Sequence, residues 1–205
     1  MTLARPIALL LFACLNLPLG AAAQEAGRLV AIQQRKFRLA HELSIGGMFE
    51  PLDAFSKGVA PEGSYTIHFS DDWAWEVVRG GYVARLITPL RRQLERDFGV
   101  EPTAFESLQY YASSAITWAP LYGKFALKNA SLVHAEAFVS IGGAFAHFTS
   151  LYAGGPELGV GARVFLSRTL SVRLDARDAF FIARKPQNIL FLSLGLSINL
   201  GGSDG

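Results

Sequence analysis

The stretch that most constrains this chain is Ile189 to Leu200, Ile-Leu-Phe-Leu-Ser-Leu-Gly-Leu-Ser-Ile-Asn-Leu. From Leu190 onward the even positions are Leu190, Leu192, Leu194, Leu196, Ile198 and Leu200, and the odd ones are Phe191, Ser193, Gly195, Ser197 and Asn199. Period two marks a strand with one apolar face and one polar or small face. A soluble sandwich strand alternates over a shorter run, whereas a tilted strand crossing a bilayer needs roughly 9 to 11 residues. The run is long enough to cross. Its place near the end of the chain suits the strand that pairs with the first one and removes the sheet edge that lipid cannot satisfy.

The start of the chain sets the compartment. Arg5, an apolar run from Pro6 to Leu19, and Ala21-Ala22-Ala23 before Gln24 have the layout of a secretory signal cleaved after Ala23. The expected organisation is signal 1–23, periplasmic segment 24–36, barrel 37–200 and tail 201–205. The single cysteine, Cys14, lies inside the signal. Leu11-Phe12-Ala13-Cys14 loosely matches a lipoprotein box, which leaves lipidation at Cys14 as an alternative to cleavage after Ala23. Hydrophobic residues make up 51% of the chain and mean hydropathy is +0.28. No stretch after the signal offers the ~18 uninterrupted apolar residues of a helical span. The apolar material is instead dispersed, as in strands whose lipid-facing and lumen-facing residues alternate. A net charge of +2 is too small to argue for nucleic acid, and none is expected as a partner.

The alternation predicts an all-β fold, an eight-stranded antiparallel up-and-down transmembrane β-barrel. Its strands are Phe37 to Phe49, Gly63 to Ser70, Trp73 to Thr88, Leu108 to Trp118, Val133 to Phe145, Leu158 to Leu166, a seventh from Leu170 to about Arg177, and Ile189 to Leu200. On the third strand, Trp73, Trp75 and Val77 share one face and Tyr82, Ala84 and Leu86 the same face only if parity slips near Val78, which a bulge achieves. Asp71-Asp72 and Ser167-Arg168-Thr169 read as tight periplasmic turns. Ala119 to Leu132 is a longer periplasmic connection, and Glu50 to Glu62, Pro89 to Ser107, His147 to Glu157 and Ala179 to Asn188 lie outside. Phe37, Phe69, Trp73, Trp75 and Trp118 fall at one set of strand ends, and Phe49, Tyr65, Tyr110, Phe145, Phe148 and Phe180 at the other. Such belts distinguish a barrel from a secreted sandwich, which has no reason to sort aromatics this way. His41 opposes the scheme, since simple alternation turns it toward lipid without an obvious partner.

The inward positions assign a luminal charge network: Arg38, Arg79, Arg85, Arg163, Arg173 and Arg177 against Glu42, Glu76, Glu136 and Asp175, with His68 and His134 nearby. Eight strands leave an interior just wide enough for side chains to fill, so these groups must be paired. The competing reading is a narrow, arginine-lined pore with anion preference. A third class, an outer-membrane hydrolase, could draw on Glu42 or Glu136 with His68 or His134 and a luminal serine. No nucleophile and base stand at a recognised spacing, and no catalytic, cofactor or metal site is expected. Gly46-Gly47, Gly80-Gly81 and Gly142-Gly143 sit mid-strand and are not phosphate loops.

Two connections carry further signals. Thr88-Pro89 reads as a helix cap with proline at the first helical position, Leu90, Leu94 and Phe98 form a stripe, and Gly99 stops it. Arg91, Arg92 and Arg96 on that helix either meet lipopolysaccharide phosphates or sit on a helix that merely caps the mouth. The apolar connection containing Leu121, Tyr122, Lys124, Phe125 and Lys128 either contacts a periplasmic partner or folds back on the lower rim.

The segments Ile32 to Glu42, Pro51 to Phe55, Trp73 to Val77, Leu108 to Tyr111, Trp118 to Lys124 and Phe165 to Arg168 together resemble the outer-membrane β-barrel domain proteins abundant in myxobacteria. The resemblance spans nearly all of the expected mature chain. It implies the barrel fold and, because some members are associated with gliding motility, a barrel component of a motility complex. The expectation is therefore an outer-membrane barrel in contact with lipid and lipopolysaccharide, serving periplasmic or envelope-complex proteins as a structural or docking element.

Overall fold

In the computed structural model, residues 37–51, 56–87, 108–127, 131–182 and 187–201 are described. They form strands β1 (His41–Glu50), β2 (Ser56–His68), β3 (Trp73–Tyr82), β4 (Ala84–Ile87), β5 (Leu108–Leu127), β6 (Ser131–Phe148), β7 (Tyr152–Phe165), β8 (Leu170–Phe181) and β9 (Gln187–Leu200). β3 and β4 pair in succession with the same strand, β2, and only Val83 separates them. They are one barrel stave with a local interruption. Each stave is antiparallel to its sequence neighbours, and β1 pairs with β9 from His41↔Leu200 to Phe49↔Leu192. The result is the expected closed, eight-stranded, up-and-down antiparallel barrel, with no helix among the described residues.

The parity slip on the third stave is present. Tyr65 pairs with Val78 and Thr66 with Glu76, so Val77 is the extra residue of a bulge. This turns both Glu76 and Arg79 inward. Without it every residue beyond Val78 would face the wrong way.

Several boundaries differ from the sequence reading. β1 begins at His41, and Phe37 takes part only in an isolated bridge. β2 starts at Ser56, so Glu62 belongs to a strand rather than to a connection. The expected long connection 119–132 is mostly strand: β5 runs to Leu127 and β6 begins at Ser131. A bulge at Ala119 and Pro120, between the pairs Trp118↔Val139 and Leu121↔Ala137, accommodates the proline within the paired strand. The expected connection 147–157 shrinks to 149–151, where the Phe148 amide donates to the Leu151 carbonyl at 2.8 Å. Gly154-Gly155-Pro156 looks like a loop in sequence, yet these residues pair along β6, with Pro156 exposed opposite Gly143. The two turns expected to be tight are tight, closed by Phe69 N to Trp73 O at 3.0 Å and Leu166 N to Leu170 O at 3.0 Å. The end of the barrel that carries them is called the turn end below, and the opposite one the loop end.

At the closing seam Gly46 pairs with Gly195. A Cβ on Gly46 would lie 2.3 Å from the Leu194 carbonyl oxygen, so only glycine lets β1 and β9 meet there.

The outer surface is apolar, with Ile45, Ile141, Leu158, Val160, Leu174, Leu194 and Leu196 all exposed. Such a band on a soluble protein would be an aggregation hazard, whereas on a closed barrel it is the surface that lipid covers. Trp73 and Trp118 stack at 6.1 Å at the turn end, and at the loop end His147 stacks on Tyr110 and meets Tyr152 at a tilt. Trp75 sits deeper, and its indole N–H donates to Ser114 Oγ at 3.0 Å, which satisfies a donor that lipid cannot. His41 faces outward as alternation requires, and its partner is Tyr65: the rings stack at 6.1 Å and Tyr65 Oη lies 3.0 Å from His41 Nδ1.

Candidate functional site

The barrel interior gathers a dense set of chemistry-bearing side chains. Alternate residues of β3, β7 and β8 deliver Glu76, Arg79, Glu157, Arg163, Arg173, Asp175 and Arg177 inward, all buried, with Glu42 from β1 and Glu136 from β6. Two carboxylates form the hub. Glu76 accepts from Arg79 (3.0 and 3.1 Å), from Arg177 (2.8 and 3.1 Å) and lies 2.8 Å from Arg173 Nη2. Asp175 meets Arg173 at 2.9 Å, Arg79 at 3.2 Å and Arg177 at 3.4 Å. Three guanidinium groups therefore share two carboxylates, and planar forks of this kind suit multi-point pairing better than lysine would.

Branches leave the hub in both directions. Toward the turn end, Arg163 bridges Glu42 and Glu136, and Glu42 also accepts from His68 Nε2 at 3.0 Å and from Ser44 Oγ at 3.1 Å. The Arg173 guanidinium stands 4.8 Å from the Phe138 ring centre, a cation–π contact in a desolvated space. Toward the loop end, Arg79 reaches Glu62 at 2.8 Å and Arg177 reaches Glu157 at 2.8 Å. Tyr111 Oη and Ser193 Oγ donate to the second Glu62 oxygen.

Both ends of the network are closed by other side chains. At the turn end Phe37 packs on His134 and Phe165, with Tyr122 beside both. At the loop end an apolar cluster that includes Met48, Val83, Leu108, Phe148, Phe181, Ile189 and Phe191 fills the interior. Within the charged region lie a space bordered by Glu62, Arg79 and Asp175 and another by His68, Glu136 and Arg163. Each is about 10 Å³, room for a single water.

Of the twelve residues expected in the network, ten lie inside: Glu42, His68, Glu76, Arg79, His134, Glu136, Arg163, Arg173, Asp175 and Arg177. Arg38 does not. It precedes β1, is exposed at the rim, and lies 3.6 Å from Asp71 of the nearby turn. Arg85 is exposed at the loop end, opposite Gly58 on β2, where it acts electrostatically on Glu50. Sequence reading missed Glu50, Glu62 and Glu157, all inward. Extending each alternation by two or more residues finds them, since Glu62 precedes Ser64 and Glu157 precedes Gly159 on the same faces. Pro61 and Pro156 hid that continuation.

These changes reverse the charge balance. Among the described residues the interior holds seven carboxylates, Glu42, Glu50, Glu62, Glu76, Glu136, Glu157 and Asp175, and four guanidinium groups, Arg79, Arg163, Arg173 and Arg177. The arginine excess that motivated an anion-preferring pore is absent. Glu50 is the outlier: it is 1% exposed and neither carboxylate oxygen has a hydrogen-bond partner. For the hydrolase alternative, Ser44 bonds Glu42 and Ser197 while His68 bonds the same carboxylate through Nε2, so Ser44 and His68 meet Glu42 rather than each other.

Of the expected partner-contact residues, Leu121 is exposed on the outer face of β5, Lys124 is exposed beyond it, and Tyr122 turns inward to the aromatic cap. Phe125 pairs with Val133 in the strand extension. Lys128, the helix expected over 88–99 with Arg91, Arg92 and Arg96, and the segments 1–36 and 202–205 lie outside the described residues.

No family model and no curated protein matches the chain. Among solved structures it is similar to the N-terminal β-barrel domain of Pseudomonas aeruginosa OprF, with a TM-score of 0.53 at 10% identity, covering 80% of this chain and 98% of that one. It also matches Ail of Yersinia pestis (TM-score 0.42, 13% identity, 79% and 99% covered) and Neisserial surface protein A (TM-score 0.41, 12% identity, 78% and 96% covered). At these identities the likeness concerns the fold, and that fold is the eight-stranded β-barrel of outer-membrane type.

Proposed function

We propose that this protein is a non-conducting outer-membrane barrel that serves as a structural or docking element of an envelope complex, without catalytic activity of its own. The observation that carries this reading is the filled interior, with an interlocked charge network between an aromatic cap at the turn end and an apolar plug at the loop end. A barrel closed at both ends passes nothing, so its use lies in its surfaces. The turn end is assigned to the periplasm, since short connections face that side in bacterial barrels. There β5 and β6 continue past Trp118, where β3 begins, as a hairpin that presents Leu121 and Lys124. This projection is the proposed contact for a periplasmic partner. The resemblance to the myxobacterial family directs the first search for that partner to the gliding machinery.

Three measurements test the reading. The mature protein fractionates with the outer membrane and migrates faster unboiled than boiled; recovery from the soluble periplasm overturns the barrel assignment. Purified protein in planar bilayers shows no steady conductance, and a steady current restores the pore alternative. A cysteine at Arg92 reacts with an impermeant maleimide on whole cells and one at Asp72 does not. The reverse pattern inverts the orientation.

A further inference from the structure

The outer wall of the barrel is not uniformly convex. On β1, β2, β4 and β9 an open apolar depression of about 550 Å³ is lined by Gly47, Phe49, Val59, Pro61, Ala84, Leu192 and Leu194, with Leu174 at its far side. Small outward residues make it: Gly47 pairs with Pro61 on one side and Leu194 on the other, so a floor without side-chain bulk lies between taller neighbours. The depression occupies the loop-end half of β1 and β2, the external-leaflet side in the orientation assigned above.

Lys57 stands at its upper edge. Lys57 is exposed on the outward face of β2, and its Nζ stands 5.8 Å from the centre of the Phe49 ring, which is itself part of the wall. The described outward positions of β1 and β9 carry no acidic residue to neutralise it. A cation held over an aromatic ring, with an apolar channel leading away from it toward mid-bilayer, complements an anionic headgroup joined to an acyl chain.

We propose that this depression is a binding site for one phosphate-bearing lipid, an acyl chain lying along Gly47, Val59 and Leu194 and the phosphate meeting Lys57. The proposal rests on the membrane-embedded reading and goes beyond it, because bulk lipid wets the whole wall whereas this site retains a single molecule with headgroup preference.

The test uses the full mature chain, folded in neutral detergent and verified as a barrel by heat-modifiable migration. It is mixed with dimyristoyl phosphatidylglycerol or with phosphatidylcholine of the same chain length, and retained lipid is read by native mass spectrometry. Wild type keeps one phosphatidylglycerol with roughly fivefold preference over phosphatidylcholine, the contribution expected of one lysine near an anionic headgroup. Lys57→Gln loses the preference and still retains either lipid weakly. Gly47→Leu fills the floor and loses both; a Cβ at that position meets only the Ala60 carbonyl oxygen, at 3.9 Å, so the barrel tolerates it. Ala84→Phe fills the depression from the other wall and repeats the loss if Gly47→Leu folds poorly. A heat-modifiable wild type that retains no lipid, or retains both lipids equally, overturns this proposal while leaving the barrel reading intact. Unchanged retention in both filled variants overturns it as well. A wild type that shows no heat-modifiable form overturns both together.

Discussion

The two halves of the barrel interior face inward by the same strand alternation and are held together by opposite means. The half nearer the turn end is ionic, built on Glu76 and Asp175 with three arginines. The half nearer the loop end is an apolar plug of Met48, Phe148, Phe181, Ile189 and Phe191. In the ionic half each group is costly alone and tolerable only because its partners are in place, so the unit of stability is the network. In the apolar half each side chain contributes through its own buried surface and the absence of voids, so loss of one is felt locally. Strand parity decides which residues enter the lumen, but it does not decide which of these two kinds of interior they build.

Removing the hub gives the largest effect. Glu76→Ala leaves Arg79, Arg173 and Arg177 with Asp175 as their main shared counter-charge, and destabilises the barrel by about 5 kcal/mol, the upper end for breaking a buried ionic group. The expected readout is loss of the heat-modifiable form or a large drop in the urea midpoint; a midpoint within error of wild type would dissolve the network account. Next comes the plug. Phe181, fully buried and edge-to-face with Phe148 at 5.5 Å, should cost about 3 to 4 kcal/mol when changed to alanine. Bilayer recordings on the same variant then show whether the ionic half alone still blocks current, as the network requires.

A peripheral ionic member sharpens the contrast. Glu136→Ala leaves Arg163 still paired with Glu42, so the cost should be about 2 kcal/mol, below that of the hub. Equal losses for the Glu136 and Glu76 variants would mean that the network has no hub. The smallest effect has the opposite sign. Glu50 is a carboxylate in the apolar half without a hydrogen bond at either oxygen, so Glu50→Leu should raise stability by about 1 kcal/mol in equilibrium urea unfolding from vesicles. A loss there would show that Arg85, at the mouth, supplies a stabilising interaction comparable to those deeper inside.

The sequence could be read furthest where lipid enforces strict alternation. Leu190 to Leu200 and Leu170 to Arg177 are assigned correctly residue by residue, since a polar side chain turned to hydrocarbon has no compensating partner there. Even the bulge at Val77 matches the parity slip expected near Val78 from turning Arg79 and Arg85 inward, although only Arg79 enters the lumen. Reading failed at prolines and glycines, where Pro61, Pro120 and Pro156 look like chain breaks. The barrel tolerates Pro120 at a bulge, and Pro61 and Pro156 at outward positions within paired strands. Glu62 and Glu157 stand next to two of these prolines, at the ends of stretches that the sequence reading assigned to connections.

By itself, then, the sequence determined strand number, the faces of the strictly alternating strands and ten of the members of the interior network, because period-two alternation is local and lipid penalises exceptions. Pairing was decided only by the tertiary structure. That Arg79 meets Asp175, ninety-six residues away, or that Arg163 bridges Glu42 and Glu136, depends on the stagger and curvature that carry distant strands across a narrow lumen. The same closure decided that Arg38 stays at the rim and Arg85 at the mouth, since a position along a strand becomes depth in the barrel only when the neighbouring staves are in register.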